Sequence, residues 1–463
     1  METIAKGRRL KLPARGALGY TAAAALIKSI GMLTTPLFTR LLGADEYGSY
    51  SLYMSALGVI SVGLSAFFSS GVVYKGLQSY KGRTYSFLAS GIGVAAGISL
   101  LICIVLFTIL PFLGLERSFA PIMALQLFLD SVVALRCAEY RYCYSYRRVA
   151  LLGLCSAILS PLLGVAFISG AGLSYMGRIL GILLSSVCIA TPVLIVTLSR
   201  GRSERQMRAF LLKQGAPLLP HTMSGAAWGQ LDKLLISSML GVAALAKYSV
   251  AHSLGVAISL VTGGVSSALL PWTMRKLATG EVDTVRRING GVFSALGCGI
   301  LLVVGLAPEV MSLLAPVEYA DAVEAVAPIA ISTLPAFAIS VFASGAIFKS
   351  RSGLTVIPSL FGVLSSFLLC LLLLPRLDFF GAGVALLLSE CLSLSVCLLL
   401  ARRVGGEVLI ESRIIVRTLF FVALFSVALV FLYPSLPSRL LLLTAPLSLA
   451  LRELFDMRRL VLE

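Results

Sequence analysis

Few side chains in this 463-residue chain can do chemistry, and those that can sit inside long apolar runs. Lys28 has apolar neighbours on both sides and no acidic residue on adjacent turns. An ammonium there is a point charge suited to a pyrophosphate, or else one half of an ion pair with a carboxylate from another segment. Asp232 and Lys233 are adjacent, so on a helix they point about 100° apart and cannot share one neighbour. Lys233 suits an anionic ligand or a partner acid. Glu390 is the most isolated carboxylate of the chain. It is the kind of group proton coupling uses, or the partner of Lys233 in an ion pair between helices. Gln126 and Asp130 are spaced i,i+4 and share a face, whereas Arg136 and Glu139 at i,i+3 can satisfy each other. That leaves Arg136 as a secondary candidate for a sugar or phosphate path. Arg178, Lys247 and His252 lie within about two helical turns of the end of a run, where they can snorkel or line an exit. For His252 the other reading is a neutral, hydrogen-bonded ring.

The elements that must position these groups are apolar runs of roughly 20 residues, the length of a bilayer-crossing helix. About fourteen recur. Six fall near 16–40, 47–74, 85–113, 119–143, 149–169 and 173–199, and six more near 213–241, 246–273, 289–314, 321–348, 354–375 and 380–401. A last pair lies near 414–433 and 438–456, and the 119–143 run is the least apolar. With 58% hydrophobic and 13% charged residues, the expected fold class is an all-α polytopic membrane protein. Its expected parts are 1–205 (six helices), 206–405 (six helices) and 406–463 (a helical hairpin).

The net charge of +17 follows the same plan. Basic residues crowd every second gap, from the tail Lys6 to Arg15 through Lys75 to Arg83, Arg141 to Arg148 and Arg200 to Lys213, and on to Arg452 to Arg459. The opposite side holds only Arg40, Arg117, Arg376 and Arg439. The positive-inside rule makes the crowded side cytoplasmic and places both termini there. These clusters read as orientation signals that touch anionic lipid headgroups, and no nucleic acid is expected as a partner. No cleavable signal peptide is expected, because the first run is too long and is preceded by a basic tail that would stay inside. The nine cysteines lack metal-ligand spacing and read as small core hydrophobes; neither a metal nor a cofactor is expected. Tyr140, Tyr142, Tyr144 and Tyr146 alternate where an aromatic belt would lie.

The outer gaps are short, for example 42–46, 114–118 and 434–437, which leaves no room for a catalytic domain. Only two histidines exist, and no phosphate-binding glycine loop, HExxH or Ser-His-Asp set sharing a compartment is present. The chain therefore reads as a transporter and not an enzyme.

A repeat strengthens that reading. Leu42-Gly43 is followed by Tyr50-Ser51 and Ser55; Leu240-Gly241 is followed at identical offsets by Tyr248-Ser249 and Ser253. Six expected spans separate the copies, so the halves are parallel repeats around a central cavity, with Arg200 to Lys213 as the hinge. The stretch Leu33-Thr-Thr-Pro36-Leu-Phe-Thr-Arg40-Leu-Leu-Gly43-Ala-Asp-Glu-Tyr47-Gly48-Ser-Tyr50 resembles the first hairpin of Wzx-type polysaccharide flippases. Gln230-Leu-Asp232-Lys233-Leu-Leu-Ile-Ser237, with Leu240-Gly241, Tyr248-Ser-Val-Ala251 and Pro271, resembles their seventh and eighth helices. Such proteins form one superfamily, the multidrug/oligosaccharidyl-lipid/polysaccharide (MOP) exporters, with lipid II flippases and MATE antiporters.

The resemblance implies translocation of an undecaprenyl-pyrophosphate-linked oligosaccharide, such as an O-antigen unit, from the inner to the outer leaflet of a bacterial or archaeal plasma membrane. A glycan polymerase or another assembly protein would be a partner, and a proton or sodium ion would drive transport. In lipid II flippases a basic residue on the first helix is important, which corresponds to Lys28, and a sodium site is built from helices seven, eleven and twelve. Here Asp232 and Glu390 would supply its carboxylates, and the eleventh helix offers Ser359, Ser365 and Ser366. In all, the substrate-binding candidates are Lys28, Arg136, Lys233 and His252, and the coupling candidates Asp232 and Glu390. The alternatives are a MATE-like exporter of small organic molecules, a major-facilitator carrier whose usual loop after the second helix is not matched by Lys75 to Arg83, and a membrane scaffold for glycan assembly.

Overall fold

The computed structural model describes residues 26–27, 29–348, 356–403 and 409–462. Lys28, the basic tail before it, Lys349 and Arg351 lie outside the described residues. The expected all-α polytopic class is what the structure shows. After α1 (29–41) come α2 (Ala44–Ser65), α3 (Ser70–Ser79), α4 (Thr84–Ile109), α5 (Phe119–Tyr142), α6 (Tyr146–Val165), α7 (Tyr175–Arg200) and α8 (Arg205–Gly215). They are followed by α9 (Leu219–Leu240), α10 (Val242–Gly255), α11 (Ile258–Ala278), α12 (Val282–Gly305), α13 (Ala307–Leu314) and α14 (Val323–Phe348). The last are α15 (Val356–Arg403), α16 (Ser412–Phe431) and α17 (Leu436–Leu462). Among the described residues eight helices are long and apolar enough to cross a membrane, and the bent pair Val242–Gly255 and Ile258–Ser266 makes a ninth.

One of those eight is two helices. A straight helix of 48 residues would be about 72 Å long, more than twice the hydrocarbon thickness. The chain turns at Asp378, whose φ of 54° and ψ of −151° are not helical, and Asp378 Oδ1 accepts the backbone N–H of Phe379 at 2.9 Å. The arms then run antiparallel: Ser393 Oγ donates to the Pro358 carbonyl at 2.9 Å, and a Cβ on Gly381 would lie 2.6 Å from the Leu373 carbonyl oxygen. This is the expected pair of eleventh and twelfth helices.

Three other expected spans are interrupted: the ninth, expected over 289–314, ends at Gly305, and α13 resumes at Ala307 after Leu306. The second ends at Ser65 and resumes at Ser70; at the break Phe67 is buried against Gly215, whose missing Cβ would stand 2.4 Å from the ring. The eighth bends by 44° after Gly255. There a Cβ would lie 2.6 Å from Ile329 of α14, so the glycine permits an approach no larger residue allows.

The chain divides into two compact units, Met1–Gln230 and Leu231–Glu463. In the first, α5 packs against α2, α3, α4, α6 and α7. Its apolar window is 61% buried, against 6% for the span beginning at Tyr146. The least apolar run is thus the one that faces other helices, and the Leu151 and Leu162 side chains of α6 stand exposed as lipid-facing residues should. Part of the basic segment 200–213 forms α8, which packs on α3 and α4. It is tied there by an Arg83–Glu204 ion pair and by the Glu204 N–H donating to Ser90 Oγ at 2.9 Å.

In the second unit α14 is the central helix, 78% buried over its apolar window and packed on α10, α11, α12, α15 and α16. Phe293, Ile300, Leu334 and Val422 are among its core residues. Both α16 and α17 pack on α12, and a buried arginine locks the last helix: Arg439 donates to Glu309 at 2.6 and 2.8 Å and to the Gly305 carbonyl at 2.6 Å.

Candidate functional site

The first unit holds a cavity of about 680 Å3 lined by α2, α5, α6 and α7. Its polar lining is mostly neutral: Ser61, Ser65 and Ser69 near α2, Gln126 and Ser131 on α5, Ser156 on α6 and Ser186 on α7, with one carboxylate, Asp130, and one guanidinium, Arg141. Asp130 stands near the midpoint of α5, exposed to this space. Ser186 Oγ donates to Asp130 Oδ1 at 2.9 Å, one turn from Gln126, whose Oε1 accepts from buried Tyr53 at 2.9 Å. The i,i+4 spacing read from the sequence therefore builds a polar stripe, fixed at one end by α7 and at the other by α2. Ser61, Ser65 and Ser131 turn their hydroxyl protons to carbonyls in their own helices, leaving oxygen lone pairs as acceptors.

Arg136 lies elsewhere on α5. It is buried, ion-paired to Glu139 at 3.3 Å, and set over the rings of Tyr140 at 4.7 Å and Tyr85 at 5.3 Å. Its ion pair and ring contacts are all internal to the first unit, as the i,i+3 spacing allows. Arg178 is likewise buried, over Phe38 at 4.2 Å and donating to the Ser160 carbonyl at 2.9 Å and hydroxyl at 3.0 Å. Neither arginine lines the cavity.

In the second unit the structure joins Asp232 to α10. Tyr248 Oη donates to Asp232 Oδ2 at 2.5 Å, and Oδ1 accepts the Lys233 backbone N–H at 2.8 Å. His252, one turn beyond Tyr248, places its ring 5.7 Å from the tyrosine ring. Lys233 is half-buried on the next position of α9. Lys247 pairs with Asp321 at 2.7 Å. Glu390, half-buried on the second arm of α15, has no hydrogen bond or ion pair among the described residues; its neighbours Ser389 and Ser393 donate to backbone carbonyls instead. No group of three or more His, Cys, Asp or Glu that could hold a metal ion occurs among the described residues. Ser365 turns its hydroxyl to the Gly362 carbonyl at 3.0 Å.

Asp130, Ser186 and Arg141 are what the reading of the sequence left out of its candidates. The Gln126/Asp130 stripe was the available signal. Arg141 was indistinguishable from an orientation charge, and single serines in apolar helices are too common to signal a site.

Residues 37–276 match the profile of the polysaccharide biosynthesis protein family, a stretch that includes most of the first quoted hairpin and all of the second. The chain belongs to that family. No curated protein matches it in sequence. In fold it is similar to the lipid II flippase MurJ in an inward closed conformation, with a TM-score of 0.72 at 12% identity over 96% of this chain and 100% of that one. It is similar also to an inward-facing multidrug resistance MATE family transporter of the MOP superfamily, with a TM-score of 0.61 at 14% identity over 82% and 94% of the two chains. A MOP superfamily transporter from Pyrococcus furiosus, whose binding pocket is described as of reverse polarity, has a TM-score of 0.59 at 14% identity over 84% and 95%. At such identities the likeness is one of fold.

Proposed function

We propose that this protein is a flippase for a lipid-linked oligosaccharide, carrying an undecaprenyl-pyrophosphate-linked glycan from the inner to the outer leaflet of the plasma membrane by alternating access, with no chemical step on the substrate. The observation that carries this reading is the first-unit cavity. At about 680 Å3 it has the volume of a small-molecule site. Its lining of hydroxyls and an amide, with one acid and one base, suits sugar hydroxyls, which both donate and accept hydrogen bonds. Family membership supports the same reading. In it the glycan contacts Asp130, Gln126 and Ser186, and Arg141 attracts the phosphate end. Lys28 and Lys233 remain proposed ligands for the pyrophosphate and His252 a residue of the exit path, whereas Arg136, held by Glu139 and two tyrosine rings, is set aside. Glu390 is the first choice for ion coupling, since both oxygens of Asp232 already accept hydrogen bonds.

One observation favours a second reading. A carboxylate exposed in the cavity, Asp130, could hold an organic cation, as a MATE-like exporter requires. A binding experiment separates the two. Purified protein is titrated with a fluorescent polyprenyl-pyrophosphate oligosaccharide and, separately, with ethidium. The flippase reading expects the first to bind, with affinity falling at least tenfold in Asp130→Asn and competition by the free oligosaccharide. Binding of ethidium alone, lost in Asp130→Asn, would replace it with the exporter.

A further inference from the structure

The second unit has a cavity of its own, of about 460 Å3, between the first turns of α12 and α16. Arg286 and Arg287 line it from α12 and Arg417 from α16, with Asp283 and Glu411 as the acids. Asp283 is already engaged with Arg286 at 2.9 Å. Arg287 and Arg417 are both exposed, and among the described residues neither pairs with a carboxylate. The two helices touch beside them: a Cβ on Gly290, one turn along α12 from Arg287, would lie 2.9 Å from Ile414 Cδ1, one turn before Arg417 on α16. The cavity is therefore a cup walled by two helices in contact, with two exposed guanidinium groups at its rim.

A second feature runs along the helix from that rim. Val416, Phe420, Leu424, Val427 and Phe431 are all exposed on α16, spaced four, four, three and four residues apart, so they form one stripe along the helix. An apolar stripe that starts beside an arginine cup has the shape complement of a molecule with an anionic head and a long acyl chain. A soluble phosphate would use the cup and ignore the stripe.

We infer that the cup between α12 and α16 is a binding site for the phosphate of an anionic membrane phospholipid, with one acyl chain laid along α16. Guanidinium groups hold phosphate oxygens through paired N–H donors, and basic pockets between membrane helices are suited to lipid headgroups. The site lies wholly in the second unit and uses none of the residues assigned to the glycan or to coupling, so it stands whether or not the protein is a flippase.

The test is native mass spectrometry of the detergent-purified full chain titrated with phosphatidylglycerol, phosphatidylcholine, polyprenyl pyrophosphate or inorganic pyrophosphate. The expected result is one retained phosphatidylglycerol that phosphatidylcholine does not replace, with apparent affinity at least fivefold weaker in Arg287→Gln/Arg417→Gln and unchanged in Arg147→Gln/Arg148→Gln. The proposal is overturned by equal retention of the two phospholipids, or by equal loss in both double variants. Tighter retention of polyprenyl pyrophosphate would reassign the cup to the transported lipid, and displacement by inorganic pyrophosphate at equal concentration would make it a soluble-phosphate site. A circular dichroism melt of each variant shows that it is folded.

Discussion

A carboxylate near the middle of a membrane helix is kept only where a polar space or a partner offsets its desolvation, and Asp130 has both: an open cavity and the Ser186 hydroxyl. Replacing it with Asn preserves the shape and a hydrogen bond to Ser186, so we expect normal folding and a transport rate at least tenfold lower, read in vesicles at matched protein levels. Arg136 should behave in the opposite way. Its ion pair with Glu139 and its two ring contacts are internal, so Arg136→Gln should cost roughly 3 kcal/mol of stability by leaving a buried charge unpaired, measured as a lower thermal midpoint. A variant that melts normally yet fails to bind the glycan would restore Arg136 as a ligand. For Glu390, Glu390→Gln should remove the stimulation of transport by an ion gradient while leaving downhill exchange intact. Much of this was legible beforehand, because charges are so rare in the apolar runs that each could be weighed singly. What escaped was the partner of each charge, since Tyr248 for Asp232 and Ser186 for Asp130 come from other helices and no spacing encodes them.

At the level of elements, the two Leu-Gly corners look identical in sequence and differ in backbone. Gly241 has φ of 90°, whereas Gly43 has φ of −64°. An alanine at 241 must enter a region unfavourable to side chains by about 1 kcal/mol or more, whereas alanine at 43 meets neither strain nor a neighbour within 4 Å. Thermal midpoints of Gly241→Ala and Gly43→Ala should therefore differ, with only the first lowered. Gly255→Ala should be worse than either, at roughly 1–3 kcal/mol, because its Cβ would strike Ile329. Hydropathy located most helices within a few residues and missed the breaks at 66–69, 256–257 and 306, the first two of which sit at close contacts with α8 and α14. It did resolve the hairpin at Asp378, where Pro375-Arg376 interrupts the apolar run.

For the whole molecule, helices α16 and α17 are integral to the second unit, and the Arg439–Glu309 pair is a fastening that can be titrated. Glu309 lies beyond the end of its span, and hydrogen bonding from Arg439 holds its carboxyl below the usual carboxylate range. Its contribution is therefore complete above the ordinary carboxylate range and is lost as the pH falls through the lowered folded value. The thermal midpoint of the wild type should exceed that of Glu309→Gln at neutral pH, and the two should converge in acid. The two proposed tasks, export and lipid flipping, differ in where the cargo ends. The deciding measurement uses vesicles that carry the protein and a polyprenyl-pyrophosphate oligosaccharide in the inner leaflet, exposed to a glycosidase that cannot cross the membrane. The flippase account expects cleavage that depends on the protein and slows at least tenfold in Asp130→Asn and in Lys28→Ala; cleavage no faster than in protein-free vesicles, from protein shown to be folded, would contradict it.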